Sequence, residues 1–110
     1  DEEYINGVRE EYRQRRNYVC DRVAAIDGIA CTMPAAGMFV MVRIDQAGVD
    51  GLQFAQGLLQ DKGVSVLPGA GFGECTRDYV RVSLAQPINV LRPAFDRIEA
   101  YCQQLSNKHT

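Results

Sequence analysis

The sequence predicts an α+β domain in which helices pack on a small, mainly antiparallel sheet. Three long segments repeat apolar residues every three or four positions, as amphipathic helices do, and four short apolar runs lie between them. The predicted order is α-β-β-α-β-β-α. The chain has 110 residues, 46% of them hydrophobic, which suits a single domain over 1–110 with a buried core.

The first predicted helix runs from Asp1 to about Ile26. Its apolar residues share one side of the helix: Tyr4, Val8, Tyr12, Val19, Val23 and Ile26. A helix of roughly 25 residues is about 38 Å long, more than a domain of this size needs. We therefore interpret residues 1–28 as a long connecting helix and residues 29–110 as the α/β small domain. Because the chain begins at Asp1 without a methionine, we expect a piece of a longer protein.

Two apolar runs, Ile29–Met33 and Met38–Ile44, flank a Pro-Ala-Ala-Gly turn and predict a hairpin-like pair of strands. The second run is apolar at consecutive positions, so we predict a central strand covered on both faces. A polar loop over 46–51 leads to a predicted helix over Leu52–Lys62, which Gly63 ends. The apolar residues at helical spacing there are Leu52, Ala55, Leu58 and Leu59.

The second half of the chain predicts two strands and a helix. The first strand is Val64–Leu67, which Pro68 ends, and a glycine-rich loop over 68–73 follows it. The strand Asp78–Ala85 alternates, with Val80, Val82 and Leu84 on one side and Tyr79, Arg81 and Ser83 on the other.

Asn89 is the predicted cap of the last helix. The predicted buried stripe is Leu91, Ala94, Phe95, Ile98, Cys102 and Leu105. A polar tail is expected from Ser106 to Thr110.

Composition argues against several classes of function. The net charge is −2 with both signs dispersed, unlike the basic excess of proteins that bind nucleic acid or anionic membranes. No apolar run approaches the roughly 20 residues that span a bilayer. The four cysteines form no Cys-x-x-Cys pair and the one histidine is His109, which argues against a zinc site. We expect reduced thiols and a cytoplasmic location.

Three other candidate sites have simpler interpretations. The glycine loop precedes a strand rather than a helix, so it lacks the helix N-terminus that binds phosphate and is better explained as a connection between strands. The cluster Arg13, Arg15 and Arg16 follows acidic residues, which indicates a solvated, ion-paired helix face. Cys75 lies beside Arg77, but no histidine outside the tail could act as its base.

Arg81 is the strongest candidate for a binding residue. It lies in the middle of a strand, and a guanidinium mounted there offers a planar fork that matches a carboxylate. A surface arginine paired with a nearby acid fits the same spacing, and the spacing alone leaves both interpretations open.

Several separated motifs resemble those of class I/II aminotransferases of fold type I, in that family's order. The matching stretches are Gly37–Val42, Gly63–Gly69, Phe72–Gly73 and Tyr79–Ala85. Tyr12, Arg15 and Arg16 resemble the segment that leads into the family's small domain.

The resemblance implies a C-terminal small domain of an enzyme that moves an amino group between an amino acid and a 2-oxo acid through pyridoxal 5′-phosphate. By motif match, Arg81 binds the substrate's α-carboxylate and Phe72 lines the substrate entrance. The family's Schiff-base lysine and phosphate-binding residues belong to a large domain that this sequence lacks, and neither Lys62 nor Lys108 matches them. The resemblance therefore implies that this piece has no catalytic or cofactor-binding residue, binds no cofactor and is inactive alone. It also implies that the parent enzyme is a homodimer.

A second hypothesis needs no catalysis. A stand-alone ligand-sensing or subunit-association module with a similar arrangement of strands and helices would make Arg81 an incidental surface residue. The coding sequence upstream of Asp1 distinguishes the two, because an aminotransferase parent carries a large domain there.

Overall fold

The computed structural model describes residues 2–31, 39–45, 49–69 and 77–108. Its elements, in chain order, are α1 (Glu2–Ala24), β1 (Ile29–Cys31), β2 (Phe39–Ile44), α2 (Gly51–Lys62), β3 (Leu67–Pro68), β4 (Tyr79–Ser83) and α3 (Ile88–Lys108). The predicted α+β class and the predicted order of helices and strands are confirmed.

The four strands form one antiparallel sheet in the order β1-β2-β4-β3. β2 and β4 form its centre, with Met41 opposite Arg81 and Val40 opposite Val82. The chain therefore places its last strand between β2 and β3, which brings residues some 40 positions apart in sequence side by side.

The core lies between one face of this sheet and the helices. Alternate residues of the central strands, Val40, Val42, Val80 and Val82, are buried in the same cluster as residues of all three helices. Large fully buried side chains from α2 and α3 fill the middle of that cluster: Phe54, Leu58 and Phe95. Because strand side chains alternate, the intervening residues point to the opposite face.

The prediction that β2 is covered on both faces is wrong for this chain. Val40, Val42 and Ile44 are buried, but Phe39 and Met41 between them are only half-buried. The second apolar face of β2 therefore packs less completely than the first. A sheet with helices on one side needs only one apolar face, so these helices do not explain why the other face of β2 is apolar too.

α1 packs on the core only near its C-terminal end. Val19 and Val23 are fully buried, whereas Tyr4 is 72% exposed. The apolar side predicted for this connecting helix is therefore buried only in its last turns. The helix ends at Ala24, and Ile26 is buried just after it.

Local capping explains the ends of α2. Asp50 accepts a hydrogen bond from the Gln53 amide at 2.9 Å while the Gln53 side chain accepts one from the Asp50 amide at 3.0 Å, a reciprocal capping box. Gly63 ends the helix with φ 69°, a left-handed conformation that favours glycine. Leu52 and Leu59, predicted on the apolar stripe, are exposed, and Phe54 is buried instead.

Other boundaries also differ from prediction, and β4 is Tyr79–Ser83 rather than Asp78–Ala85. β3 is Leu67–Pro68 rather than Val64–Leu67, and Val64 packs into the core instead of joining the ladder. α3 begins at Ile88, before the predicted cap Asn89, because the carbonyl of Pro87 accepts the amides of Val90 and Leu91.

The predicted polar tail is wrong as far as residue 108, since α3 continues to Lys108. The predicted apolar stripe of α3 is confirmed, with Tyr101 added to it.

The structure leaves out residues 1, 32–38, 46–48, 70–76 and 109–110. The whole predicted hairpin turn and most of the predicted glycine loop therefore lie outside the described residues. Among the described helices, none is both long enough and apolar enough to cross a membrane.

Candidate functional site

Arg81 lies at the centre of the sheet. It is the middle residue of β4, opposite Met41 of β2 on one side and Leu67 of β3 on the other. Val80 and Val82, its neighbours in sequence, point into the core and are buried. The backbone of Arg81 is therefore held by ladders on both sides and by packing underneath, which gives its side chain a rigid base.

Arg81 projects from the sheet face that the helices of this chain leave uncovered. Directly paired residues of antiparallel strands have their side chains on the same face of the sheet. The face that carries Arg81 therefore also carries the residues of β2 and β3 that pair with Tyr79, Arg81 and Ser83. We define the open face as Phe39, Met41, Arg43, Leu67, Tyr79, Arg81 and Ser83. None of these residues is fully buried, whereas the residues between them are buried in the core.

An aromatic ring supports the guanidinium of Arg81. Its Cζ atom lies 5.2 Å from the centre of the Phe39 ring, within the range of a cation–π contact. The Nε atom is buried, while the side chain as a whole is half-buried. The ring of Phe39 thus covers part of the guanidinium and limits its orientations, which suits a planar fork that binds a planar anion.

A second arginine on the open face has a different environment. The guanidinium of Arg43 donates to both carboxylate oxygens of Asp45, at 2.8 and 3.2 Å. The hydrogen bond to Asp45, followed by its charge, raises the pKa of Arg43. Because Asp45 directly follows β2, two residues after Arg43, the positive charge of Arg43 is matched locally.

α1 holds the C-terminal end of β4. The Nη1 atom of Arg15 donates to the carbonyl of Leu84 at 2.9 Å, and the side chain of Arg15 is only 11% exposed. The same guanidinium pairs with Glu11 and lies 5.2 Å from the centre of the Tyr12 ring. The predicted ion pairs form at both Arg13 and Arg15, but the prediction of a solvated face is wrong for Arg15, whose guanidinium also donates to the carbonyl of Leu84.

The structure describes some of the predicted site residues and leaves out others. Arg81 is on the open face as the alternation of β4 predicted, but Phe72 and Cys75 fall outside the described residues, so the predicted role of Phe72 stays a prediction. Phe39 was missed as a site residue. The sequence indicates this contact only weakly, because Phe39 belongs to an apolar run. Only the register of β2 against β4 brings its ring beside Arg81.

Three described features, Lys62 and the N-termini of α1 and α2, do not suit the attachment of an aldehyde cofactor with a phosphate. A Schiff-base lysine must reach the site with its amine, whereas Lys62 lies in the last turn of α2 and not on the open face that carries Arg81. A phosphate suits a helix N-terminus, but α1 begins with Glu2 and Glu3. At the start of α2, the Asp50 side chain and the Arg77 carbonyl already bind the amides of Gln53 and Gly51.

The fold and the site define a class of domain: helices on one face of an antiparallel sheet, and an arginine mounted at the centre of the open face. The chain belongs to the aminotransferase class I and II family, whose model matches residues 1–98. This confirms the resemblance to the fold type I, pyridoxal-phosphate-dependent aminotransferases that the motifs predicted.

Individual relatives agree with the family assignment. The chain is 38% identical over 101 residues to the arginine–pyruvate transaminase of Pseudomonas aeruginosa, covering 92% of this chain and 26% of that protein. It is 33% identical over 94 residues to the probable N-acetyl-LL-diaminopimelate aminotransferase of Bacillus subtilis, covering 86% and 24%. The solved alanine aminotransferase of Pyrococcus furiosus superposes with a TM-score of 0.87 at 26% identity, covering 93% and 26%. The chain therefore spans about a quarter of the length of these relatives.

Proposed function

We propose that this chain is the C-terminal small domain of a pyridoxal-phosphate-dependent aminotransferase, with Arg81 binding the α-carboxylate of the substrate. The parent enzyme moves an amino group between an amino acid and a 2-oxo acid. Family membership over residues 1–98 and the quarter-length match to named aminotransferases support this proposal.

The observation that carries the proposal is the position of Arg81 on the open face. A carboxylate needs a charged, planar, bidentate donor, and such a donor binds best when little side-chain entropy is lost on binding. The two flanking strands fix the backbone of Arg81, and the ring of Phe39 lies beside its guanidinium. The described helices pack on the other face of the sheet, with Val80 and Val82, so they do not cover the face from which Arg81 projects.

The cofactor and its lysine belong, in this proposal, to the part of the parent enzyme that the chain does not include. Pyridoxal 5′-phosphate supplies the electron sink for the reaction, and this domain supplies the group that holds the substrate. The chain alone is therefore inactive and binds no cofactor. The proposal also includes a cytoplasmic, homodimeric parent with Phe72 at the substrate entrance.

Replacing Arg81 in the complete enzyme tests the proposed role. Loss of one partner of a buried charged pair costs about 2–5 kcal/mol. Arg81→Ala should therefore lower kcat/KM for an amino acid by roughly 30- to 5000-fold. Arg81→Lys should recover only part of the loss, because an ammonium keeps the charge without the planar fork. Steady-state kinetics with amino acid and 2-oxo acid pairs measure both effects.

Arg77→Ala is the control for this experiment. The side chain of Arg77 is 73% exposed, and its one ion pair with a described residue is to Asp50, at 3.6 Å. We expect kcat/KM within about 2-fold of the wild-type value for this variant, as for most exposed positions. A parent enzyme that loses activity on Arg77→Ala and keeps it on Arg81→Ala would contradict the assignment.

A further inference from the structure

Two cysteines from different elements meet beside the core. Cys20 is in the second half of α1 and Cys31 is the last residue of β1, and their Sγ atoms lie 3.0 Å apart. Both side chains are half-buried and pack against the edge of the core. Cys31 lies opposite Val42 in the sheet, so it is on the face that the helices cover.

We propose that Cys20 and Cys31 are a modification site, a dithiol that a small-molecule disulfide oxidises to an intramolecular disulfide between α1 and β1. A disulfide needs its sulfur atoms about 2.05 Å apart. The two sulfurs therefore need to approach by only about 1 Å, within the adjustment that two side chains can make. Their partial exposure lets a disulfide of the size of oxidised glutathione reach them.

The reaction balances as two successive thiol–disulfide exchanges. The thiolate of one cysteine of the pair attacks one sulfur of the small disulfide, whose S–S bond breaks and releases one small thiolate. The other cysteine then loses its proton and attacks the sulfur of the first cysteine in this mixed disulfide, which releases the second small thiol. Two protein thiols are oxidised, and one small disulfide is reduced to two thiols.

Other uses of this pair have less support. No third histidine, cysteine, aspartate or glutamate in the described ranges joins them in a group that could hold a metal ion. Cys102 is 1% exposed, and burial, with a smaller effect of Glu99, raises its pKa to about 12, so it does not compete for the oxidant. The disulfide would join the connecting helix covalently to an edge strand of the sheet.

Trypsin makes the test direct, because it cleaves after Arg16, Arg22 and Arg43 and so puts the two cysteines in separate peptides, 17–22 and 23–43. The chain, carrying Cys75→Ser, is incubated with oxidised glutathione, its free thiols are alkylated, and the digest is measured by mass spectrometry without reduction. We expect the two peptides linked to each other, with the intact mass lower by two hydrogen atoms. Oxidation should also raise the thermal unfolding midpoint.

Two controls keep the result specific to the folded chain. Cys20→Ser should give no linked peptides and no change in unfolding midpoint on oxidation. In concentrated urea the yield of the 17–22/23–43 link should fall by about 10-fold or more, since proximity in the fold drives the second exchange. Peptides that stay separate after oxidation of the natively folded chain, alkylated or each carrying glutathione, would overturn the proposal. An equal yield of the link in urea would do so as well.

Discussion

The size of a single residue decides how closely two helices of this domain pack against each other. Gly57 of α2 faces Tyr101 of α3, whose ring meets Phe54 edge-on at 5.4 Å between centres. A Cβ at position 57 would lie 3.0 Å from Cζ of Tyr101 and nearer still to its hydroxyl. Tyr101 is 5% exposed, so its ring cannot swing out into solvent to make room. The two helices therefore pack at a distance that only glycine allows.

Gly57→Ala should lower the free energy of unfolding by about 1–3 kcal/mol, because overpacking forces the ring of Tyr101 or the helices to move. Gly7→Ala is the matched control. Gly7 is also inside a helix, but a Cβ there would meet nothing within 4 Å. That substitution should stabilise the protein by about 0.5–1 kcal/mol through helix propensity alone. Urea unfolding of both variants measures the difference, and two stabilised variants would contradict the packing argument.

At the scale of the elements, two arginines attach α1 to the rest of the domain. Arg15 donates to the carbonyl of Leu84, just after β4. About two turns further along α1, Arg22 pairs with Asp96 of α3 at 2.8 Å and donates to Tyr18 at 2.8 Å. The helix is therefore tied to both the sheet and α3, although only its last turns contribute fully buried apolar residues.

Arg15→Ala should lower the free energy of unfolding by about 1–3 kcal/mol, because the carbonyl of Leu84 loses a charged donor at a part-buried position. Arg13→Ala, two residues earlier in the same helix, is the control. Arg13 is 60% exposed and pairs only with Glu10, so its loss should change stability by less than about 0.5 kcal/mol. Equal effects in chemical denaturation would mean that the bond to Leu84 contributes nothing.

Local patterns in the sequence predicted most elements, and the errors have tertiary causes. The alternation of β4 and the stripe of α3 were readable because one face of each is buried. β3 was misplaced because Val64 is β-branched and apolar whether it joins a strand or packs into the core. The role of Arg15 and the meeting of Cys20 with Cys31 depend on where α1 crosses the sheet, which no local pattern encodes.

For the molecule as a whole, the open face is the feature that local rules leave unexplained. Phe39, Met41 and Leu67 are apolar, yet within the part of the chain that the structure describes the helices cover only the other face of the sheet. Here the sequence prediction of a doubly covered β2 was informative although wrong for this chain. Apolar residues on an uncovered face are expected where another part of a protein, or another copy, packs on it.

The isolated chain should therefore associate through the open face. Leu67→Lys should weaken association, measured by sedimentation across a range of concentrations, by about 10-fold or more in the dissociation constant. Leu52→Lys is a matched control, since both leucines are 44% exposed but Leu52 lies on α2. A strictly monomeric chain, or equal effects of the two substitutions, would contradict this role for the open face.

The site was predictable to the extent that its residues follow from strand alternation and from family motifs. Arg81 satisfies both, so the sequence alone predicts it as the binding residue. Phe39 was not, because a cation–π contact between β2 and β4 depends on register, and a shift of one residue would turn Phe39 into the core.

One kinetic comparison tests the central claim most directly. In the complete enzyme, kcat/KM is measured for an amino acid and for the amine that lacks only its α-carboxylate, with wild-type protein and with Arg81→Ala. If Arg81 binds the carboxylate, the substitution lowers kcat/KM for the amino acid by roughly 30-fold or more and leaves the value for the amine within about 2-fold, because the amine never used the contact. Equal losses for both substrates would show that Arg81 only supports the fold, and would contradict the account.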